Sequence, residues 1–208
     1  MSERRIRPRT LENAFVRLEP HANEHREGLR AAAAGDAALF AYMPADISGS
    51  AFDRWFDWTS RVNDGAGELA FTVRRKADER IVGSTRYLNV ELAHRRVEIG
   101  HTWYAREVWG GTVNPSCKFL LMRFAFDELE LNRVELKCDA RNKRLRAAIL
   151  KLGTREEGTL RKHMVMPDGF VRDTVYFSVV ADEWPAVSGA LTRRLKGLER
   201  LRSLVKSQ

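Results

Sequence analysis

Tyr104-Ala-Arg-Glu-Val-Trp-Gly-Gly-Thr-Val-Asn-Pro-Ser-Cys-Lys-Phe119 joins a segment with strand-like alternation to one with helical spacing, across a turn at Gly110 and Gly111. Such a turn can aim several backbone N–H groups at one anion. The first four N–H groups of a helix lack intrahelical partners, and the helix dipole adds about half a positive charge there. Gly110 and Gly111 remove the Cβ atoms that would hold a ligand off, so the local chemistry predicts a phosphate-sized cradle.

Upstream of this turn, Phe15–Glu19 alternates as a strand ended by Pro20, and Ala22–Ala34 favours a helix. Phe52, Trp55, Phe56 and Thr59 share one face of a second helix over Phe52–Val62. Glu68–Arg74, Ile81–Val90 and Arg96–Tyr104 read as three consecutive strands. Downstream, Ser116–Leu129 has amphipathic helical spacing, Arg133–Asp139 alternates as a strand, and Arg144–Leu152 is a helix closed by Gly153. Gly158–Met166 and Phe170–Val180 form a hairpin across Pro167-Asp-Gly169. A last helix starts near Asp182-Glu-Trp-Pro185 and carries a stripe of leucines. Consecutive strands with scattered helices predict an α/β (α+β) fold with a mixed, mostly antiparallel sheet and a C-terminal helix.

At 208 residues, 44% hydrophobic and 31% charged, the chain suits one soluble domain, and it holds no apolar run of the ~20 residues that span a bilayer. The N-terminus lacks the apolar middle of a signal peptide, and two cysteines without Cys-x-x-Cys spacing suggest no disulfide framework, so a cytoplasmic setting is expected. The formal net charge of +8 first suggests a polyanionic partner. That charge is confined to the ends: residues 1–10 carry +3, residues 193–208 carry +5, and residues 11–192 are formally neutral. The reading is therefore a basic N-terminal extension (1–10), a domain (11–192) and the basic end of the last helix (193–208). A membrane partner is not expected, and nucleic acid is the disfavoured partner. The five His show no ligand spacing, and no metal site is expected.

Val97-Glu-Ile-Gly-His-Thr-Trp103, Trp109-Gly-Gly-Thr-Val-Asn114, Asp139-Ala-Arg-Asn142, Arg161-Lys-His-Met-Val-Met-Pro-Asp-Gly169 and Asp173-Thr-Val-Tyr-Phe-Ser178 follow one another in the order found in a known family. Together they resemble the GNAT superfamily of acetyl-CoA-dependent N-acetyltransferases, and within it the RimJ/RimL-type group. The resemblance covers most of residues 11–195. It implies that coenzyme A is held through backbone N–H groups of Trp109, Gly110, Gly111, Thr112, Val113 and Asn114. It further implies that Thr102, Trp103 and Tyr104 lie beside the pantetheine arm, that Asn142 contacts the cofactor, and that Lys118 meets a phosphate. Arg141, Lys143 and Arg144 either screen the cofactor's nucleotide phosphates or, for at least two of them, form a solvated face. The implied acceptor is a primary amine, on a protein N-terminus or a small molecule. A homodimer is a family-level expectation.

Two departures stand out. Glu107 occupies the Gln/Arg position that opens the family's turn, and Thr112 occupies its second glycine position. Ile149 and Leu145 stand where family members carry a Tyr or Ser that protonates the leaving thiolate. Tyr87, Tyr104 and His101 can donate protons, but the residues do not choose among them. For the base that takes the amine proton, Glu98 is the first candidate, since its strand should flank the thioester. Cys117, in the first turn of the helix, should have a thiol pKa lowered by the dipole. Trp55, Phe56 and Trp58 either line an acceptor cleft or pack the core. Two alternatives to an active acetyltransferase are a degenerate one that binds coenzyme A without turnover, and a basic ribosome- or nucleic-acid-associated module.

Overall fold

Alternating apolar residues need a sheet that buries one side of each strand, and the computed structural model supplies one sheet of eight. The structure describes residues 5–34, 37–44, 47, 49–63 and 67–206. Across the sheet the order is β1 (Leu11–Glu12), β2 (Val16–Pro20), β3 (Leu69–Arg75), β4 (Arg80–Glu91), β5 (Arg96–Tyr104), β6 (Arg133–Asp139), β8 (Val171–Val180) and β7 (Arg155–Val165). Every neighbouring pair is antiparallel except β5 and β6. The mixed, mostly antiparallel sheet expected from the sequence is present, with the two-residue β1 added at its edge.

Helices α1 (Arg26–Ala33) and α2 (Phe52–Val62) lie on one face, and α3 (Val113–Arg123), α4 (Lys143–Leu150) and the C-terminal α5 (Trp184–Lys206) on the other. Adjacent strand residues show this division. Trp103 packs with Phe40, Trp55 and Phe56 under α1 and α2, whereas Tyr104 packs with Cys117 and Leu120 under α3. On α2, the predicted stripe of Phe52, Trp55, Phe56 and Thr59 is fully or nearly fully buried. The α3 helix starts three residues earlier than its apolar spacing suggests and ends in a π turn over Phe124–Glu128, where Leu129 N–H donates to Phe124 O at 3.0 Å. One extra residue in that turn keeps Phe124 and Phe126 both in the core.

Two irregularities shape the centre. The β5–β6 pairing covers only Arg96–Glu98 against Arg133–Glu135. Beyond it, β5 pairs only with β4 and β6 only with β8, so a cleft opens between Ile99 and Leu136 and continues to the strand ends. Just past the opening, His101 and Thr102 oppose the single residue Thr85, a two-against-one bulge with His101 at φ +43°.

Close approach of β4 to β5 at this point depends on Gly83. A Cβ there would lie 2.2 Å from Trp103 O and 2.9 Å from Tyr104 Cα. Gly83→Ala is expected to lower unfolding free energy by at least ~2 kcal/mol, measured by urea denaturation, because only backbone movement relieves the clash.

Candidate active site

The opening of β5 from β6 faces the quoted turn. A turn of 3₁₀ helix at Arg106–Val108 delivers the chain to Trp109, whose Nε1 donates to Tyr104 O at 2.9 Å, so the turn is tied to the end of β5. Gly110 takes φ +74°, with nothing within 4 Å of where a Cβ would stand. Thr112 is the N-cap of α3 at φ −80°, and its side chain makes no capping bond. The conformational demand for glycine thus falls on Gly110, and Thr112 sits in a conformation open to any residue. As the first two residues of α3, Val113 and Asn114 have N–H groups without intrahelical acceptors, and Pro115 has no N–H to satisfy. Of the turn's other amides, Gly111 N–H reaches Val108 O at 3.4 Å.

Charge around the turn is arranged differently from the expectation. Glu107 is drawn away by Arg80 at 3.0 Å and Arg75 at 3.5 Å. The Arg144 and Arg106 guanidiniums lie 3.5 and 4.8 Å from the Trp109 ring centroid. Arg141 is committed to Asp139 at 2.8 Å and to the Phe170 ring at 3.5 Å.

Several site residues sit differently from the expectation. Lys118 does not reach the surface. Residue spacing turns it inward from α3, it is 5% exposed, and Nζ donates to Thr102 Oγ1 at 2.7 Å. That hydroxyl also shares a 2.7 Å hydrogen bond with Thr85 Oγ1. Burial lowers the Lys118 pKa to about 8, with Cys117 and Glu98 opposing the shift. A role in meeting an exposed phosphate is therefore replaced by one in anchoring the bulge. The side chains of Trp103, Tyr104 and Val113 are core, which leaves their backbone to face a ligand. Asn142 Oδ1 caps α4 by accepting from Leu145 N–H at 2.9 Å. Cys117 is also corrected: complete burial outweighs the helix end and pushes its thiol pKa up to about 12.

On the α2 side of the sheet, Glu98 stands at the last β5–β6 pair and is 1% exposed. Its Oε2 accepts from Lys137 Nζ at 3.0 Å and Asn89 Nδ2 at 2.9 Å, while Oε1 is buried without a partner. Beside it, Arg86 is fully buried, donating to Glu68 and to Thr59 Oγ1 at 2.8 Å each, with its guanidinium 5.0 Å from the Trp58 ring. The His101 ring lies 6.2 Å from Trp58, and burial, then Arg86, Lys137 and Arg172, depress its pKa to about 4. His101 is therefore neutral at pH 7. Trp58 lines this face, whereas Trp55 and Phe56 are core. Tyr87 Oη is spent on Leu121 O, and Ile149 is buried in the core. Lys137 and Arg172 were not singled out by sequence. Their signal was only the alternation that puts Lys137 opposite Leu136 and Cys138, and Arg172 opposite Val175 and Phe177.

An opened parallel pair, a bulged strand and a glycine turn into a helix thus follow one another along the chain. The acetyltransferase (GNAT) domain model matches residues 16–155. The chain belongs to the GNAT acetyltransferase family. It is 35% identical over 108 residues to the "Putative ribosomal N-acetyltransferase YdaF" of Bacillus subtilis, spanning 51% of this chain and 57% of that protein. A GCN5-related N-acetyltransferase from Brucella melitensis superposes with a TM-score of 0.86 at 29% identity, over 92% of this chain and 87% of that one. RimJ of Mycobacterium smegmatis, solved with CoA-disulfide, shares the fold at a TM-score of 0.75 and 21% identity, over 90% and 95% of the two chains.

Burying a lysine whose pKa falls from 10.5 to about 8 opposes folding. The unfolded chain binds the proton between those values and the folded one does not, so this group makes stability rise with pH from about 8 to 10.5. Relative to wild type, Lys118→Met should gain on the order of 3 kcal/mol at pH 7, with the gain vanishing by pH 10.5. Urea unfolding of both proteins across that range checks the sign.

Proposed function

We propose that the chain is an acetyl-CoA-dependent N-acetyltransferase of the cytoplasm, moving an acetyl group to a primary amine by direct attack in a ternary complex. The observation that carries this is the β5–β6 opening, with the amide-lined turn of Gly110–Asn114 at one end and the polar α2-side face at the other. In this reading the turn's N–H groups and the α3 dipole receive the coenzyme A pyrophosphate. Arg144, held over Trp109, adds positive charge beside it. The pantetheine arm would enter the opening, where backbone N–H groups on the edge of β5 that β6 leaves uncovered would polarise the thioester carbonyl, a contribution worth a few kcal/mol. Coenzyme A supplies the activated acetyl group and the thiolate leaving group.

The amine must lose a proton before or during attack. Glu98 is the carboxylate nearest the point of opening, and its unpaired Oε1 is the acceptor the site offers. Lys137 and Asn89 hold the other oxygen and so orient the carboxylate. With Ile149 in place of a proton donor, the thiolate is protonated from water. A homodimer is compatible with this reading, and the domain proper spans residues 11–192.

Calorimetry with acetyl-CoA and a thiol-release assay on an amine panel test the proposal. Gly110→Val should weaken acetyl-CoA at least tenfold while costing only ~1–2 kcal/mol of stability, because the strain is local to an open turn. A folded variant with unchanged affinity removes the turn from the cofactor site. Glu98→Gln should lower kcat by 10²-fold or more. An unchanged rate across pH rejects Glu98 as the base.

A further inference from the structure

Arg172, on β8, is the residue of the cleft whose charge the proposed reaction does not use. It is 4% exposed, and its only hydrogen bond among the described residues runs from Nε to Thr174 Oγ1 at 3.0 Å. No carboxylate among the described residues lies within ion-pairing distance of it. The other two cations of this face are neutralised, Arg86 by Glu68 at 2.8 Å and Lys137 by Glu98 at 3.0 Å. Asp139 feels the Arg172 charge but is itself bound by Arg141 at 2.8 Å. A buried guanidinium without a counter-ion is costly, because desolvation is not offset by a partner.

The direction of the free end follows from its surroundings. Polar atoms sealed without a partner include Arg86 Nε and Glu98 Oε1 but not the terminal nitrogens of Arg172, so the small exposed fraction of Arg172 lies at its charged tip. Its field reaches His101 on β5 and Cys138 and Asp139 on β6, the two walls of the opening. Thr174, which fixes Nε, pairs in register with Asp139 at the end of β6. Arg172 therefore stands on the same face of the sheet as Glu98 and His101, close enough to the opening for its charge to act on both walls, with its terminal nitrogens unmatched among the described residues.

We propose that Arg172 binds an anionic group carried by the acceptor itself, so that the acceptor is an amine bearing a carboxylate or a phosphate rather than a polyamine or aminoglycoside. This rests on the acetyltransferase reading for the amine end, and the anion site stands on Arg172 alone. A planar guanidinium meets either anion through paired N–H donors, which would hold the molecule with its amine directed along the cleft. A polycation would place further positive charge against the uncompensated one.

Two measurements decide it, both on the full chain. In the first, wild type and Arg172→Met are titrated calorimetrically at constant ionic strength with N-acetylglycine, phosphoethanolamine and N-acetylglycinamide. Saturable binding of a charged probe at least tenfold tighter than the amide, lost in Arg172→Met and partly kept in Arg172→Lys, supports the site. The better of the two charged probes identifies the anion. No preference in wild type, or the same preference in Arg172→Met, overturns it. This arm needs no turnover, so a failure of acetyl-CoA binding would sink the acetyltransferase reading without deciding the anion site. In the second, kcat/KM is compared for glycine against glycinamide, phosphoethanolamine against ethanolamine, and spermidine. The anion-bearing member should lead, and its advantage should fall at least tenfold in Arg172→Met with acetyl-CoA affinity unchanged. An equal loss on every acceptor overturns the assignment. Arg172→Met should also melt at or above wild type, since an unpaired buried charge is removed, whereas a drop of several degrees would make Arg172 structural and overturn it too.

Discussion

Everything distinctive in this molecule depends on how briefly β5 and β6 stay together. A parallel pair normally continues as long as its strands run side by side, because each lost rung leaves backbone N–H and C=O groups to find other partners. Here the pairing ends after Arg96–Glu98, although β5 runs on to Tyr104 and β6 to Asp139. The unpaired edges are tolerable only if something fills the gap, and an extended, amide-bearing arm has the shape to do so. The bulge at His101–Thr102 helps by bending β5 towards β4 and away from β6.

The bulge in turn needs support, and the core provides it in an unusual way. Thr102, displaced from regular register, turns its hydroxyl under α3, where Gly100 O accepts from it at 3.3 Å. Thr85 and Lys118 both bind it, the latter at the cost of burying an ammonium. Gly83 lets the neighbouring backbone come close enough for β4 to follow the bend. On the opposite face the same opening is pinned at its apex by the Glu98–Lys137 pair, one partner from each diverging strand. A strained residue, a buried amine and a buried ion pair thus gather within a few residues, as expected where a fold gives up stability for a site.

How far the sequence could be read follows from this geometry. Element order, the α2 stripe, the hairpin across Pro167–Gly169 and the glycine turn were legible, because each rests on local periodicity or a local backbone demand. Gly110 and Thr112 show the limit of a motif: the position that needs glycine was distinguishable only once the backbone angles were known. The fates of Trp103 and Tyr104 were not legible, because a bulge of one residue shifts which face each side chain takes, and Lys118 on α3 was read by its charge rather than by its buried position on the helix. Glu98 could be named as a candidate from its strand, but its partners could not, since Lys137 comes from a strand 39 positions later and meets it only through the parallel pair. Cys117 failed for a different reason. The helix end acts on a thiol that solvent can also reach, and this one is fully buried.

The three cations on the α2-side face show how an acceptor site can be read from what is left over. Two carboxylates serve three positive side chains, and both carboxylates are taken by the residues beside them. The remaining charge cannot be an accident of packing at an exposed surface, because Arg172 is 4% exposed and more buried than the paired Lys137. Thr174 holds only Nε, which orients the guanidinium without neutralising it. Among the described residues no carboxylate compensates that oriented charge, and the proposal of an anion-bearing acceptor rests on this observation.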